Sequence, residues 1–283
     1  MELDQRTGHI AFQGEPGANS DTASREKYPN MVPVPCDTFE EVFNALRSGK
    51  VDLAMIPIEN SVAGRVADIH HLMPHSNCHI IDEHFLPIHF HLMAVKGARL
   101  STIDTVYSHV HALGQCRKII QKHGWKAVVA GDTAGSARMV SERKDTTIAA
   151  LAPVLAAQLY GLEILEKNVE DEDHNTTRFI ILSKEAVRAP RDNGTVMTSF
   201  LFQVRNIPAA LYKAMGGFAT NGVNMTKLES YQIGGSFFAT QFYAEIEGHP
   251  DDANVKLAMD ELGYFCDKLD VLGVYPASKF RML

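Results

Sequence analysis

Five stretches of the sequence gather side chains that can hold a small anion or move a proton: residues 14–20, 59–64, 108–115, 132–137 and 175–179. The first four share one look. Each is a strand end or loop rich in small polar residues that runs into a helical pattern. Exposed backbone N–H groups and Ser or Thr hydroxyls at such places receive carboxylates without net positive charge. The fifth, Asn175-Thr176-Thr177-Arg178-Phe179, follows the acidic run 170–173 and precedes an apolar strand. Two readings of it stay open. Thr177 and Arg178 belong to a site, or Thr177 merely starts a strand while Arg178 pairs on the surface with Glu172 or Asp173.

The elements that would position these stretches alternate β and α. Residues 9–13 read as a strand, followed by a helix over 20–27 with Ser20 as N-cap. A short strand at 32–35 precedes the clearest helix, 38–47. There Thr38 and Glu41 form a capping box, and Phe39, Val42, Phe43 and Leu46 make one apolar face. Residues 53–57 read as a buried strand. Strands at 85–95 and 105–108, a helix at 112–122, a strand at 126–130, a helix at 133–143 and a strand at 146–149 follow. Pro153 opens a helix that stops at Gly161, and 177–182 is one more strand. This alternation predicts an α/β fold with largely parallel sheets. In open α/β sheets, ligands bind beyond the carboxyl ends of the strands.

Residues 185–195 read as a linker, after which the order becomes βαββαβ. Strands fall at 199–204, 223–230, 236–246 and 265–275, and helices at 209–221 and 251–262. That order is ferredoxin-like.

The 283 residues suit two domains. A net charge of -7 argues against a nucleic-acid surface and requires any anion site to be local. No apolar run approaches the roughly 20 residues of a membrane span, and no secretory signal is read at the start. Cys36, Cys78, Cys116 and Cys266 form no Cys-x-x-Cys pair, so a reducing, cytoplasmic setting is expected. The thirteen histidines form loose clusters around His70–His79 and His84–His91. None has the spacing of a metal framework, so no metal is expected.

Several of these stretches carry a resemblance. Ile56-Pro57-Ile58-Glu59-Asn60-Ser61, Ser108-His109, Gln115, Asp132-Thr133-Ala134 and Thr177-Arg178-Phe179 resemble the signature stretches of prephenate dehydratases, in that family's order. The tail through residues 222–230 resembles the ACT domain such enzymes carry. The resemblance implies a lyase that turns prephenate into phenylpyruvate, carbon dioxide and water, without cofactor or metal. It implies Thr177 at the leaving hydroxyl, with Glu59 as a proton store if burial raises its affinity for protons. Asn60, Ser61 and Gln115 would orient the substrate, and Arg178 would take a carboxylate with its planar fork. Ser20, His109, Asp132, Thr133, Ser136 and Phe179 complete the expected substrate site; His109 can equally hold a helix start. The effector set implied for L-phenylalanine is Ala209, Ala210, Leu211, Asn224, Met225, Glu229 and Ser230. This chain departs from the family at Val110-His111, where Pro-Gln is usual. It departs again at Ala209, where Gly is usual, and at Tyr231-Gln232, where Arg-Pro is usual.

The implied architecture is a two-lobed catalytic domain, residues 8–184, resembling type II periplasmic binding proteins. One lobe would take 8–84 and 170–184, the other 85–169, with an ACT regulatory domain over 196–276. Pairing of ACT domains implies a homodimer or a dimer of dimers, with no nucleic acid or membrane partner. Three rival readings are an arogenate dehydratase, a small-molecule sensor and a metal-dependent hydrolase.

Overall fold

A computed structural model describes residues 5–191, 194–205, 207–232 and 239–282. In chain order the first elements are β1 (Gly8–Gln13), α1 (Asn19–Lys27), β2 (Met31–Cys36), α2 (Phe39–Arg47), β3 (Leu53–Asn60), β4 (Gly64–Arg65), α3 (Ala67–Leu72) and β5 (His79–Pro87). Next come β6 (His91–Ala94), β7 (Thr105–Ser108), α4 (Val110–Gln115), α5 (Arg117–His123), β8 (Lys126–Val129), α6 (Thr133–Arg143), β9 (Ile148–Ala152), α7 (Val154–Tyr160), β10 (Glu163–Glu166) and β11 (Thr176–Ser183). The last are β12 (Val196–Val204), α8 (Ala210–Thr220), β13 (Met225–Gln232), β14 (Ala239–Glu247), α9 (Ala253–Phe265) and β15 (Cys266–Pro276). The chain forms two compact units: Met1–Val66 with His84–Phe179, and Ala67–Glu83 with Ile180–Leu283.

The first unit carries the α/β part. Its first sheet places β1 between β2 and β3, both parallel to it, with β11 on the far side of β3. Ile10, Phe12, Leu53, Met55 and Ile56 are at most 1% exposed, so these strands are buried on both faces as a parallel sheet demands. The second sheet runs β10-β6-β9-β7-β8; β7 pairs in parallel with β8 and β9, whereas β6 is antiparallel to β9 and β10. The strand β10, Glu163-Ile164-Leu165-Glu166, is too short to show a strand periodicity and was not foreseen.

Three local expectations are corrected. The helix expected from Ser20 begins at Asn19 with Ala18 as N-cap, and the Asp21 carboxylate accepts from Gly17 N–H at 2.8 Å. The single strand expected at 85–95 is two strands. Pro87 ends the first, Ile88 N–H bonds the Asn175 carbonyl at 2.8 Å, and Phe90 N–H bonds Glu170 Oε2 at 2.9 Å, outside any ladder. The helix expected at 112–122 is broken at Cys116, because the Asp171 carboxylate caps a new start by accepting from Arg117 N–H (2.9 Å) and Lys118 N–H (3.0 Å). The Thr38 cap forms as expected, accepting from Glu41 N–H at 3.2 Å, but Glu41 reaches Asp37 N–H instead of Thr38 N–H.

In the second unit the order β12-α8-β13-β14-α9-β15 folds as an antiparallel sheet, β13-β14-β12-β15. The strand expected from residue 236 begins outside the described residues and is seen from Ala239. One face of the sheet packs Phe200, Phe202, Phe242 and Ile246 against Phe218, Ala258 and Leu262 of the helices; each fully buried side chain of this size contributes about 1.5–3 kcal/mol. Buried charges accompany it. Arg281 grips Glu83 with Nε and Nη2 (2.6 and 2.9 Å) and donates to Glu245 at 3.2 Å, so both buried carboxylates are compensated.

Candidate functional site

Three of the five chemistry-bearing stretches, 59–64, 108–115 and 175–179, meet through direct hydrogen bonds in the first unit. The junction between β3 and β11 supplies the centre. Asn60, at the end of β3, turns its carboxamide so that Oδ1 accepts from Val62 N–H (3.0 Å) and Ala63 N–H (2.7 Å). Backbone N–H groups only donate, so the other end of that carboxamide is fixed as the donor. Asn60 Nδ2 donates to Asn175 Oδ1 at 2.7 Å and to Thr177 Oγ1 at 2.9 Å. The Thr177 hydroxyl therefore has one lone pair occupied, and its hydrogen has no acceptor among the described residues.

The neighbouring Ser61 stitches the same two strands together. Its Oγ donates to His174 carbonyl at 2.7 Å and accepts from Thr176 N–H at 2.9 Å, while Ser61 N–H bonds the Thr176 carbonyl at 2.9 Å. Ser61 is thus a strut, with its hydroxyl already occupied.

Glu59 and Arg178 face each other as an ion pair, Nη1 to Oε1, 2.9 Å. Arg178 is 3% exposed and lies 5.8 Å from the Phe85 ring centroid. The alternative of a surface pair with Glu172 or Asp173 is set aside: those residues flank His174 instead. Arg178 was expected to take a substrate carboxylate and Glu59 to hold a proton; here each is bonded to the other. Phe179 was expected to touch substrate; it is 1% exposed and belongs to the core, in a strand that is buried without a break from Arg178 to Ser183.

Gln115 ends α4. Its Oε1 accepts from Asn175 Nδ2 at 2.7 Å, and its carbonyl accepts from Asp171 N–H at 2.6 Å. Asn175, 4% exposed, is the residue that the sequence reading passed over. It lay inside a quoted motif, but a lone asparagine before a strand carries no signal of its own. Only the fold shows its carboxamide clamped between Asn60 and Gln115.

Two stretches serve mainly as helix starts. His109 is the N-cap of α4, with Nδ1 accepting from His111 N–H at 3.4 Å. Burial, with His111 adding, holds this imidazole below its ordinary proton affinity, and Asp132 opposes. Asp132 caps α6 by accepting from Gly135 N–H at 2.6 Å, and Ser136 Oγ bonds the Asp132 carbonyl at 2.7 Å. Asp132 thereby occupies the helix start that was expected to receive an anion. Ser108 is fully buried and bonds the Leu151 carbonyl at 2.6 Å. Ser20 and Thr133 keep side-chain hydroxyls without a partner among the described residues. Ser20 makes no bond to the Asn60–Gln115 group. Its loop touches α7 instead: Tyr160 donates to the Pro16 carbonyl at 2.8 Å, and Arg138 of α6 pairs with Glu15 at 2.8 Å.

Among the described residues, no group of three or more His, Cys, Asp or Glu side chains has metal-holding geometry. His89 instead bonds Glu170 Oε1 at 2.7 Å, and His91 accepts from Asn168 N–H at 3.1 Å. No helix among the described residues is long and apolar enough to cross a membrane.

In the second unit a cavity of about 410 Å³ lies against α8 and β13, lined by Met215, Phe218, Val223, Met225, Lys227 and Leu228 among others. Of the seven expected effector residues only Met225 lines it. Asn224 bonds Glu247 (2.9 Å), Glu229 accepts from Lys227 (2.8 Å) and Tyr231 (2.5 Å), Ala210 is buried, and Leu211 packs on the core. Ala209 is the N-cap of α8, and Ser230 pairs with Phe242 in the β13–β14 ladder.

The sequence profile of the prephenate dehydratase family matches residues 10–187. A protein of Komagataeibacter europaeus called a bifunctional N-acyl-homoserine lactone acylase/prephenate dehydratase is 48% identical over 272 residues, spanning 96% of this chain and 97% of its own. An Arabidopsis thaliana arogenate dehydratase/prephenate dehydratase is 36% identical, covering 96% of this chain and 73% of its own. Among solved structures, a prephenate dehydratase from Arthrobacter aurescens in complex with L-Phe superposes with a TM-score of 0.87 at 30% identity, over 95% of this chain and 90% of that one. A structure called GqqA, a novel type of quorum quenching acylase, gives 0.91 at 48% identity, over 96% and 99%.

Proposed function

The chain belongs to the prephenate dehydratase family, and from that premise we propose that it converts prephenate to phenylpyruvate with Thr177 donating to the departing ring hydroxyl. The supporting observation is the Thr177 hydroxyl itself. Asn60 Nδ2 fills one of its lone pairs at 2.9 Å, which leaves the hydrogen to point at a ligand. The ring C–O bond breaks as its oxygen gains a proton and leaves as water. The ring carboxylate departs as carbon dioxide, and its bonding pair completes the aromatic ring. One proton is taken up in all. The gain in aromaticity drives the step, so the site needs orientation and preorganised donors more than a strong acid.

Gln115 Nε2, Thr133 Oγ1 and Ser20 Oγ are further donors with no partner among the described residues, suited to substrate carboxylate and carbonyl oxygens. The Glu59–Arg178 pair ties the end of β3 to the start of β11. The same geometry would serve arogenate, whose side chain bears an amine, and the Arabidopsis relative's name covers both substrates. Among the described residues no base is hydrogen-bonded to Thr177, so Thr177 is read as a hydrogen-bond donor and not as an activated nucleophile.

The βαββαβ unit is read as an ACT regulatory domain that binds L-phenylalanine and pairs with its twin in a dimer. The apolar cavity against α8 and the open edge strand β13, with Leu228 exposed, support that reading. Cys36, Cys78, Cys116 and Cys266 form no disulfide among the described residues, which suits a reducing compartment.

The test is phenylpyruvate release from prephenate, and turnover of arogenate, by the native chain and by Thr177→Ala. A fall in kcat of about 10² or more is expected for a lost donor at the leaving group. Equal turnover by the two proteins would remove Thr177 from the reaction. L-Phenylalanine added to the native enzyme should change its rate and melting temperature; no response would remove the effector reading.

A further inference from the structure

We infer that Asn175 is a positioning residue, and that a one-way hydrogen-bond relay from the β3 turn through Asn60 and Asn175 sets Gln115 as a donor toward the substrate. This rests on the dehydratase reading above and adds a residue and a direction to it. The direction follows from bonds that cannot be reversed. The Val62 and Ala63 N–H groups donate to Asn60 Oδ1 at 3.0 and 2.7 Å, so Asn60 must present Nδ2 to Asn175 at 2.7 Å. Asn175 must then accept with Oδ1, which leaves Nδ2 to donate to Gln115 Oε1 at 2.7 Å. Gln115 in turn is left with Nε2 facing away from the relay. The same Asn60 amine fills a Thr177 lone pair at 2.9 Å. Two backbone N–H groups thus fix the polarity of two substrate-facing donors on separate elements, the end of α4 and the start of β11.

The Gln115 donor could not be fixed by its own neighbours alone. A terminal carboxamide turns about a broad, roughly two-fold torsion, and its two ends are nearly the same size. Gln115 presenting Oε1 to a substrate carboxylate would repel it. Asn175 is 4% exposed and its carbonyl also holds Ile88 N–H at 2.8 Å, so its backbone is pinned while its side chain carries the polarity.

The decisive variant is Asn175→Asp. An ionised carboxylate accepts at both oxygens, so Gln115 must turn its Nε2 inward and lose its outward donor. A protonated carboxyl has the same pattern as the native amide, one acceptor and one donor, and restores the relay. The activity of Asn175→Asp relative to native should therefore be low near neutral pH and climb by about tenfold or more toward pH 5, as the carboxyl takes a proton. The enzyme-free rate is subtracted throughout. A merely structural role would give a ratio flat with pH, and that result would overturn the inference. If native protein turns over neither prephenate nor arogenate, the function reading fails; if native is active and the variant's ratio stays flat, only the relay fails.

Should Asn175→Asp melt below the assay temperature, Asn175→Ala reads the same coupling. Its kcat should fall by about 30-fold alone and by less than about threefold in a Gln115→Ala background, since residues acting through one another are not additive. Equal losses in both backgrounds would overturn the assignment.

Discussion

Arg178 and Glu59 pair at 2.9 Å across 119 residues of sequence, and the two ends of that pair differ: the guanidinium is 3% exposed and the carboxylate 34%. Removing the carboxylate takes an ion-pair partner from a buried cation. Glu59→Ala should lower the unfolding free energy by about 2 kcal/mol, below the 3–5 typical of fully buried pairs because water reaches Glu59. Glu59→Gln keeps an acceptor for Arg178 and should retain kcat within about tenfold of native, where loss of a proton store would remove about 10² or more. Urea denaturation and prephenate turnover of the two variants separate a supporting pair from a proton carrier.

The outline of the fold was legible because periodicity and caps are local. Phe39, Val42, Phe43 and Leu46 mark α2, and Gly161, in the left-handed conformation, stops α7 where the sequence says it must. The breaks were hidden because their causes are distant. Cys116 interrupts a helical pattern on account of Asp171, and strand pairing stops at Ile88 and Phe90 on account of Asn175 and Glu170. The site shows the same division. Residue types marked Asn60, Gln115 and Thr177 as polar groups near strand or helix ends, but which carboxamide faces which depends on Asn175. The pairing of Arg178 with Glu59 in preference to the nearby acidic run is likewise a property of strand neighbours, invisible along the chain.

Gly17 sits at φ +90° where a Cβ would lie 2.9 Å from Ala156 Cα and 3.2 Å from its nitrogen. Both obstacles are backbone, so neither can swing aside. The loop before α1 is held on α7 by that contact and by the Tyr160–Pro16 bond. Gly17→Ala combines an unfavourable φ with overpacking and should cost about 2–3 kcal/mol. It should also lower turnover, because the displaced loop leads directly to Ser20. Thermal melting together with kcat/KM reads both effects. Unchanged melting would mean that the loop and α7 can part without penalty.

Ala209 is a non-glycine residue in the left-handed region, φ +61° and ψ +19°, at the N-cap of α8. That position is where the family resemblance leads one to expect glycine. An alanine there bears a steric cost of about 1–2 kcal/mol that glycine avoids, partly offset by glycine's freer unfolded chain. Ala209→Gly should therefore raise stability by up to about 1 kcal/mol. The gain should appear in denaturant unfolding with the slope unchanged. A loss of stability would show that the unfolded-chain entropy outweighs the strain.

His109 couples the start of α4 to acidity. Its Nδ1 accepts from His111 N–H at 3.4 Å, which requires that nitrogen to be unprotonated. Burial first, then His111, lowers its proton affinity from the ordinary 6.5, against a raising pull from Asp132. His91 shifts in the same direction, burial again first, and its Nδ1 accepts from Asn168 N–H at 3.1 Å. In both cases the unfolded chain binds more protons than the folded one just below pH 6.5. Their contribution to stability is therefore full above that pH and is lost as the pH falls through it toward the lowered folded values. The melting temperature should drop between about pH 7 and pH 5. His109→Asn keeps a strong N-cap acceptor without a titrating ring, so its curve should fall less steeply than the native one. Parallel curves for the two proteins would show that His109 keeps its proton balance on unfolding, and the acid sensitivity would then belong to His91.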